Sequence, residues 1–243
     1  MGIIKLSIII PCYNEVENIP YLVKSINDLH RADTEIILVD NGSTDDTSRV
    51  LLKELESNNN NLIHSVRVEK NIGYGNGIMA GIKIAKGDII AWTHADLQTD
   101  IKDVYKGYDI FRMHTNQGKI FLKGSRRKRS FIDLILTSGM SIISSIMLRK
   151  KFNDINAQPK MFHRSFLNLA NNAPDDFSLD LYFYYVALKN RMDVLKLPVY
   201  FKDRLYGEAK GGGGSSIWTR IQVIKRTLKY IVKLNSQMKY LNF

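Results

Sequence analysis

The first hundred residues alternate between short apolar runs and segments with helical periodicity, and this alternation restricts the possible folds strongly. Strands are predicted at residues 6–11, 35–40, 62–68 and 88–93, and helices at 18–29, 44–55 (capped by Thr44) and 77–85. Strands separated by helices of this length are typical of βαβ units. The sequence therefore predicts an α/β fold with a mostly parallel sheet flanked by helices.

The second half of the chain is less regular. Helices are predicted at residues 130–150 and 179–189, and a strand at 194–201. Four consecutive glycines at 211–214 have a high backbone entropy, which predicts a mobile loop. A basic amphipathic helix is predicted from Ile217 onwards. We therefore divide the chain into a main domain, residues 1–210, and a C-terminal loop and helix, residues 211–243.

The positive charge is concentrated in two segments. The 243 residues include 35 Lys and Arg against 24 Asp and Glu, a formal net charge of +11, and 44% are hydrophobic, as in globular proteins. Residues 119–132 and 217–243 each carry six basic residues and no acidic one. Nucleic-acid binders carry such clusters, and so do proteins that handle anionic substrates at an anionic membrane surface. A solvated face explains either cluster alone.

The single cysteine and the apolar segments argue against several classes of protein. Cys12 has no partner for an internal disulfide, which is consistent with a reducing compartment, and we interpret it as a packed thiol because no base partner is evident. The N-terminal segment lacks the basic region of a secretory signal. The apolar stretch at 131–148 is interrupted by polar residues and is short for a membrane span. We expect no transmembrane helix.

Polar residues follow three of the predicted strands. They are Tyr13, Asn14 and Glu15 after the first strand, Asp40 and Asn41 after the second, and His94, Asp96 and Gln98 after the fourth. Ligands of parallel sheets bind at the carboxyl ends of the strands. A helix cap would explain Asp40 alone, but three polar strand ends favour a binding site.

The chemistry of these residues points to a metal ion and a diphosphate. Asp96 and Gln98 can offer oxygens to one Mg²⁺ or Mn²⁺, and such an ion would neutralise a diphosphate leaving group. Arg126, Arg204 and Lys210 offer cations for the same phosphates. The glycines at 73–77 have the wrong spacing and position for a dinucleotide fingerprint.

Several motifs in order resemble one enzyme family. SIIIPCYNEVENI, EIILVDNGSTDDT, NIGYGNG, KGDIIAWTHADLQTD, KGSR and DRLYGEAK together resemble the family 2 glycosyltransferases of GT-A fold. Their similarity is greatest to the branch of the dolichyl-phosphate mannose synthases and polyprenyl-phosphate glycosyltransferases. The resemblance covers residues 6–210, and it implies a GT-A catalytic domain with a Rossmann-like sheet.

The resemblance also implies roles for individual residues. The nucleoside would be held by Pro11, Tyr13, Glu15, Leu38 and Asp40. The metal and the sugar diphosphate would be bound by His94, Ala95, Asp96 and Gln98, and the phosphates by Arg126, Arg204 and Lys210. The implied reaction is an inverting transfer of a hexose from a GDP- or UDP-sugar to a polyprenyl-phosphate-type acceptor.

The chain departs from the family pattern at two places. His94 stands where the metal motif has its first Asp, so a carboxylate is replaced by an imidazole that can still ligate Mn²⁺. Residues 154–160 differ from the family's Asp-x-Thr-Ser-Gly-Phe-Arg segment, although Lys160 keeps a cation. A hydroxyl acceptor would need a general base, for which Asp180 is the candidate. A helix-face carboxylate paired with a cation is the alternative for Asp180.

Alternative functions remain open at the level of sequence. The acceptor could be a hydroxyl of a surface polysaccharide or lipid-linked glycan. The loss of the carboxylate at His94 raises the alternative of a catalytically silent sugar-nucleotide-binding protein. Nucleic acid is disfavoured as a partner, because the strand-end acids would repel phosphate. The C-terminal helix either lies on an anionic membrane surface, which we favour, or packs on the catalytic domain. We expect a cytoplasmic protein that is peripheral on the inner face of a membrane.

Overall fold

The structure, a computed structural model, describes residues 3–29, 31–58, 60–127, 131–202, 206 and 217–240, without the side chains at 131–133, 135–136, 217–221, 223 and 237–240. Seven strands form one sheet: β1 Leu6–Cys12, β2 Thr34–Asn41, β3 Ile63–Val68, β4 Ile89–Trp92, β5 Ile120–Arg127, β6 Lys160–His163 and β7 Asp193–Tyr200. Their order is β3-β2-β1-β4-β6-β5-β7. Among these strands β6 alone runs antiparallel to its neighbours. The mostly parallel α/β sheet is therefore confirmed.

Helices cover both faces of this sheet. They are α1 Ile19–Asp28, α2 Thr47–Glu56, α3 Tyr74–Ile84, α4 Ile101–Arg112, α5 Phe131–Leu148, α6 Leu179–Lys189 and α7 Ile217–Tyr240. Short 3-10 helices lie at Gln117–Lys119 and Arg164–Leu169. Among the described residues, we find no helix with both the length and the apolar character needed to cross a bilayer.

Alternating residues of the strands feed two cores. In β1, Ile8 and Ile10 join one core with α1 and α4, whereas Ile9 joins the other with α3 and α6. This is the period of two expected for a strand buried on both faces. Cys12 is fully buried in the first core, where desolvation raises the pKa of its thiol. The interpretation of Cys12 as a packed thiol is therefore confirmed.

The basic segment at residues 119–132 is not a fully solvated face. Most of it is strand β5, in which Lys123 is fully buried.

The prediction that Thr44 caps α2 is wrong, because α2 begins at Thr47 with Asp46 at its N-cap. The Thr44 side chain and amide are instead hydrogen bonded to Asn14 across the neighbouring loop. Helix α4 and strands β5 and β6 were not predicted from the sequence.

The C-terminal helix packs on the main domain through part of its apolar face. Ile231 and Leu234 of α7 are buried in the core that α6 shares, and α7 contacts α5. The packing alternative therefore applies to this part of the helix. The residues of the four-glycine segment lie outside the described part of the chain.

Candidate active site

Three parallel strands bring the predicted site residues to one edge of the sheet. Strands β2, β1 and β4 are neighbours, and their carboxyl ends carry Asp40, Tyr13 and His94 in or just beyond the strand. Because β1 pairs in parallel with both neighbours, these three ends lie side by side. The edge is the place where the sequence predicted a site.

The loops after β1 and β2 are tied to each other by hydrogen bonds. The Asn14 amide donates to the Ser43 hydroxyl at 3.0 Å, and the Thr44 amide donates to the Asn14 side-chain oxygen at 2.8 Å. The Glu15 amide donates to the Thr47 hydroxyl at 2.8 Å. Asn14 holds a positive φ of 53°, which asparagine tolerates better than most residues. These bonds fix the positions of Tyr13 and Glu15 relative to Asp40.

The Asp40 carboxylate is 3% exposed and accepts several hydrogen bonds. One oxygen accepts from the Ser43 amide at 2.9 Å. The other accepts from the Ser48 hydroxyl and from the Arg67 guanidinium, the latter at 3.2 Å. Asp40 therefore organises the start of α2 as well as lying at the strand end, so it has the cap-like role, and its role in binding a nucleoside stays a prediction.

The loop that carries Asp96 has a constrained backbone. Asp96 is 8% exposed, and its Oδ1 accepts from the Gln98 amide at 3.1 Å. Leu97 between them has φ of 59°, an unusual conformation for a leucine. The hydroxyls of Thr93 and Thr99 lie 2.8 Å apart across the loop. The loop therefore holds the Asp96 carboxylate in one position at the end of β4.

Gln98 connects this loop to the segment after β7. Its side-chain nitrogen donates to the Lys202 carbonyl at 3.2 Å, and the Lys202 amide donates back to the Gln98 carbonyl at 3.0 Å. Lys202 also pairs with Asp100 at 3.2 Å. The side-chain amide of Gln98 thus has a structural bond that the sequence analysis did not foresee, while its oxygen atom remains chemically suited to a metal ion.

His94 lies in a wall of aromatic rings. Its ring centroid is 5.9 Å from that of Tyr74 and 6.4 Å from that of Phe201, and Tyr74 stacks on Phe177 at 4.9 Å. Burial lowers the pKa of His94, because desolvation disfavours the imidazolium, and the charges of Asp96 and Asp180 offset this only in part. His94 is therefore mainly neutral at pH 7, the form in which imidazole binds metals.

Behind the aromatic wall lies a buried polar cluster around Asp180. The Asp180 carboxylate accepts from the Trp92 indole at 3.2 Å and from the Gln158 side chain at 3.0 Å, and it lies 3.3 Å from the Lys160 ammonium. Asp180 is 2% exposed and Lys160 is fully buried. The structure therefore supports the alternative of a carboxylate paired with a cation.

Arg126 is held by Asp154 at the end of β5. The Arg126 guanidinium and amide both donate to the Asp154 carboxylate, the amide at 2.7 Å, and the guanidinium lies 5.4 Å from the Phe201 ring centroid. Burial acts to raise the pKa of Asp154, but the hydrogen bonds and charge of Arg126 outweigh it, so that pKa is lowered. The guanidinium is partly exposed and fixed in orientation.

The remaining predicted residues divide into three groups. Pro11, Tyr13 and Glu15 are partly exposed at the edge. Leu38 and Ala95 are buried, at 0% and 3% exposure, with side chains in the core beneath the strand ends. Arg204 and Lys210 lie outside the described residues. Among the described residues, no group of three or more His, Cys, Asp or Glu side chains is arranged to hold a metal ion.

Several residues that shape the edge were not predicted from the sequence. They are Thr47, Arg67, Tyr74, Trp92, Phe177 and Phe201. Arg67 had a usable signal, since it lies in a predicted strand next to the one that ends at Asp40. The aromatic residues had none, because their rings come from separate segments of the chain.

The glycines at 73–77 serve packing. A Cβ on Gly75 would lie 2.2 Å from the Pro174 carbonyl oxygen, and one on Gly73 would lie 2.3 Å from that of Asp175. The Asn76 amide donates to the same Asp175 oxygen at 2.9 Å. The start of α3 thus lies directly against residues 174–176, and this contact brings Phe177 onto Tyr74.

Known proteins with similar sequences transfer sugars to lipid phosphates. A dolichyl-phosphate beta-glucosyltransferase from Dictyostelium discoideum is 25% identical over 94% of this chain and 76% of its own length. An undecaprenyl-phosphate 4-deoxy-4-formamido-L-arabinose transferase from Photorhabdus laumondii is 34% identical over an alignment that covers 49% of this chain and 40% of that protein.

Solved structures show the same fold at low sequence identity. Glucosyl-3-phosphoglycerate synthase from Mycobacterium tuberculosis, solved with Mn²⁺, UDP and glucosyl-3-phosphoglycerate, superposes with a TM-score of 0.65 at 18% identity, over 93% of this chain and 79% of its own. A mannosyltransferase from Pyrobaculum calidifontis, solved with GDP-Man and Mn²⁺, has a TM-score of 0.64 at 16% identity, over 97% and 72%. The predicted GT-A fold is therefore confirmed.

A family model matches most of the main domain. The match covers residues 7–165, from β1 to the 3-10 helix after β6, and so includes Asp40, His94, Asp96 and Arg126. The described strand ends and the loop at Asp96 lie within this range. The chain therefore belongs to the glycosyl transferase family 2.

Proposed function

We propose that this chain transfers a hexose, with inversion at the anomeric carbon, from a UDP- or GDP-sugar to a polyprenyl phosphate or a related glycolipid acceptor. The observation that carries the proposal is the position of the Asp96 carboxylate, fixed at the carboxyl end of β4 beside the ends of β1 and β2. The lipid-phosphate transferases among its relatives support the acceptor class.

The donor set at this edge fits a divalent cation. Asp96 supplies a carboxylate, Gln98 an amide oxygen and His94 a neutral imidazole. Mg²⁺ is commonly bound by one or two carboxylates plus substrate phosphates, so the single carboxylate of Asp96 is compatible with this mode. When bound, such an ion would neutralise charge on the departing diphosphate. We propose Mg²⁺ or Mn²⁺, and solved neighbours that contain Mn²⁺ support this class of ion.

The residues of β1 and β2 are assigned to the nucleoside. Pro11, Tyr13 and Glu15 are partly exposed beside Asp40, whose carboxylate is held by Ser43 and Arg67. Leu38 is fully buried two residues before Asp40, so we assign it to support of this strand end instead of direct contact. Ala95 is likewise buried, so a contact from residue 95 to the sugar diphosphate would come from its backbone.

The diphosphate is assigned to the cationic residues around the edge. Arg126 is oriented by Asp154 and lies against Phe201, at the end of β5. A planar guanidinium that is already fixed binds phosphate oxygens with a smaller loss of side-chain entropy. We assign Arg204 and Lys210 to the same phosphates on the basis of their motif.

The environment of Asp180 supports a phosphate acceptor over a hydroxyl. A general base must reach the proton that it removes, whereas Asp180 is buried and engaged by Trp92, Gln158 and Lys160. A phosphate acceptor is already anionic at neutral pH and needs no base. We therefore replace the predicted catalytic role of Asp180 by a structural one within the site.

We place the protein on the inner, cytoplasmic face of a membrane as a peripheral protein. A lipid-phosphate acceptor requires access to a bilayer. The exposed lysines of α7, at positions 225, 229 and 233, support attraction to anionic lipids.

The test is a panel of UDP-, GDP- and dTDP-sugars with Mg²⁺ or Mn²⁺, assayed by release of nucleoside diphosphate. We expect release from one donor that depends on the metal and on added polyprenyl phosphate. Release that requires a glycan hydroxyl acceptor instead would overturn the acceptor assignment. Tight donor binding without release under any of these conditions would favour a silent sugar-nucleotide-binding protein.

A further inference from the structure

Helix α5 has an inverted distribution of polar and apolar residues in its second half. Ser141 and Ser144 face the protein, at 5% and 0% exposure, and the Ser144 hydroxyl donates to the Met140 carbonyl at 2.7 Å. Ile142 and Ile146 are 58% and 72% exposed. A helix on a water-exposed surface normally buries its isoleucines and exposes its serines.

These isoleucines form one patch. Ile142, Ile143 and Ile146 lie one and four positions apart, so they lie on adjoining parts of the outward face of α5. We call these three residues the α5 patch. The exposed Arg149 and Lys151 follow it after Met147 and Leu148, and residues 134–151 contain no acidic residue. A contiguous exposed apolar patch with a basic border indicates an interaction site.

Helix α7 supplies a basic face next to α5. The two helices pack against each other, and Ile231 and Leu234 anchor α7 in the core. Its outward face exposes Lys225, Arg226, Lys229 and Lys233, together with Val232 at 56% exposure. Residues 217–243 contain no acidic residue.

We propose that the α5 patch and the basic face of α7 form one surface that binds an anionic lipid bilayer. Helix α5 places its isoleucines among the acyl chains, and α7 lies against the headgroups. Apolar burial and attraction to anionic lipid are the two contributions that hold an interfacial helix. Here the two contributions come from different helices, which the sequence of α7 alone does not show.

The charge of the surroundings favours a bilayer over a second copy of the chain. Two copies that meet through this surface would bring two sets of lysines and arginines together without acidic partners, which disfavours association. An anionic bilayer complements the same charges. This proposal rests on the proposed function, because a lipid-phosphate acceptor must be taken from a bilayer. Its test, however, uses neither the sugar donor nor the acceptor.

The experiment measures sedimentation of the full chain with vesicles of phosphatidylcholine, with or without phosphatidylglycerol. We expect binding that requires phosphatidylglycerol and weakens with salt. The double substitution Ile142→Glu/Ile146→Glu should lower the partition coefficient by about two orders of magnitude, at roughly tenfold for each isoleucine. Lys225→Gln/Lys229→Gln should lower it by about tenfold or more.

Leu52→Glu is the matched control, because Leu52 is also an exposed apolar residue on a helix, at 56% exposure on α2. We expect it to bind vesicles as the wild type does. Circular dichroism establishes that each variant is folded. As an independent measurement, Ile146→Trp should show fluorescence that is quenched by lipids brominated on their acyl chains, beyond any quenching in the wild type.

Two results would overturn the proposal. One is binding of the Ile142→Glu/Ile146→Glu protein to vesicles at the wild-type level. The other is a wild type that ignores vesicles but forms a dimer that the same substitutions dissociate, which would make the patch a contact between copies. Vesicle binding without nucleotide release in the donor panel would instead refute the proposed function and leave this surface intact.

Discussion

The ammonium of Lys160 lies 3.3 Å from the carboxylate of Asp180, with side-chain exposures of 0% and 3%. Lys160 also donates to the carbonyls of Ile155 and Ala157, both at 2.9 Å. The pair therefore ties α6 to the segment that carries Asp154, the partner of Arg126. Its position behind His94 connects the buried charges to the candidate site.

Removing one partner of this ion pair should destabilise the protein more than removing both partners. Lys160→Met alone leaves the Asp180 carboxylate buried without its cation, which we expect to cost about 3 to 5 kcal/mol of unfolding free energy. Lys160→Met/Asp180→Asn removes both charges and should restore most of that loss. Urea unfolding of the single and double variants measures the coupling. Additive effects of the two substitutions would show that the pair is not coupled.

Lys123 should make stability depend on pH. Burial, followed by the charge of Lys160, lowers the pKa of Lys123 to about 7. The unfolded chain, with an ordinary lysine pKa, then binds more protons than the folded one between about pH 7 and 10, so stability rises with pH in this window. We expect a gain on the order of 3 kcal/mol between about pH 7 and 9.5.

The matched variant for this prediction is Lys123→Met. It removes the titrating amine, so the free energy of unfolding should be higher than that of the wild type near pH 7. Above pH 7, this free energy should rise less steeply with pH than it does in the wild type. Urea unfolding at several pH values gives both curves. Parallel curves for the two proteins would mean that Lys123 titrates normally in the fold.

Gly75→Ala should disturb the aromatic wall. The added Cβ would lie 2.2 Å from the Pro174 carbonyl oxygen, so residues 174–177 must move and Phe177 must leave its stack on Tyr74. We expect a loss of about 1 to 3 kcal/mol in stability and a raised KM for the donor sugar. Gly139→Ala is the control, since a Cβ there meets nothing within 4 Å, and it should be neutral or stabilising by about 0.5 to 1 kcal/mol. Equal stability of the two variants would contradict the close contact.

The strands of the first half could be predicted because their apolar residues are short runs in β1, β2 and β4, or are interspersed with polar ones in β3, and helical segments separate them. Strand β5 was missed because its apolar run ends at Lys123 after three residues, and β6 because it has four residues and begins at Lys160. Nothing local shows that these lysines are buried. Helix α4 did carry a signal, since Ile101, Val104 and Tyr105 begin an apolar face with helical spacing. Strands that bury a charged side chain are thus harder to predict than strands buried through apolar side chains.

The residues of the candidate site could also be predicted only in part. The strand-end residues Asp40, His94 and Asp96 were found because a parallel sheet places its strand ends together. The environment of Asp180 was not, because Trp92, Gln158 and Lys160 come from other parts of the chain. The residues at the edge are thus identifiable from the sequence, whereas the partners that decide their chemistry are set by tertiary contacts.

Asp96→Asn should abolish metal-dependent turnover while the protein stays folded. The substitution keeps the shape of the side chain and its acceptor for the Gln98 amide, but it removes the negative charge that a divalent cation requires. We expect nucleotide release to fall by at least about a hundredfold at saturating Mg²⁺ or Mn²⁺. Steady-state assays over a range of metal concentrations provide the measurement.

Asp88→Asn is the matched control, because Asp88 immediately precedes β4, at the opposite end of the strand that leads to Asp96. Its carboxylate is 58% exposed and pairs with the exposed Lys5 at 3.4 Å. A surface pair of this kind contributes little to stability, so we expect near wild-type turnover and the same metal dependence. If Asp96→Asn retains turnover comparable to Asp88→Asn, then Asp96 does not hold the metal, and the proposed diphosphate site must be placed elsewhere on the sheet edge.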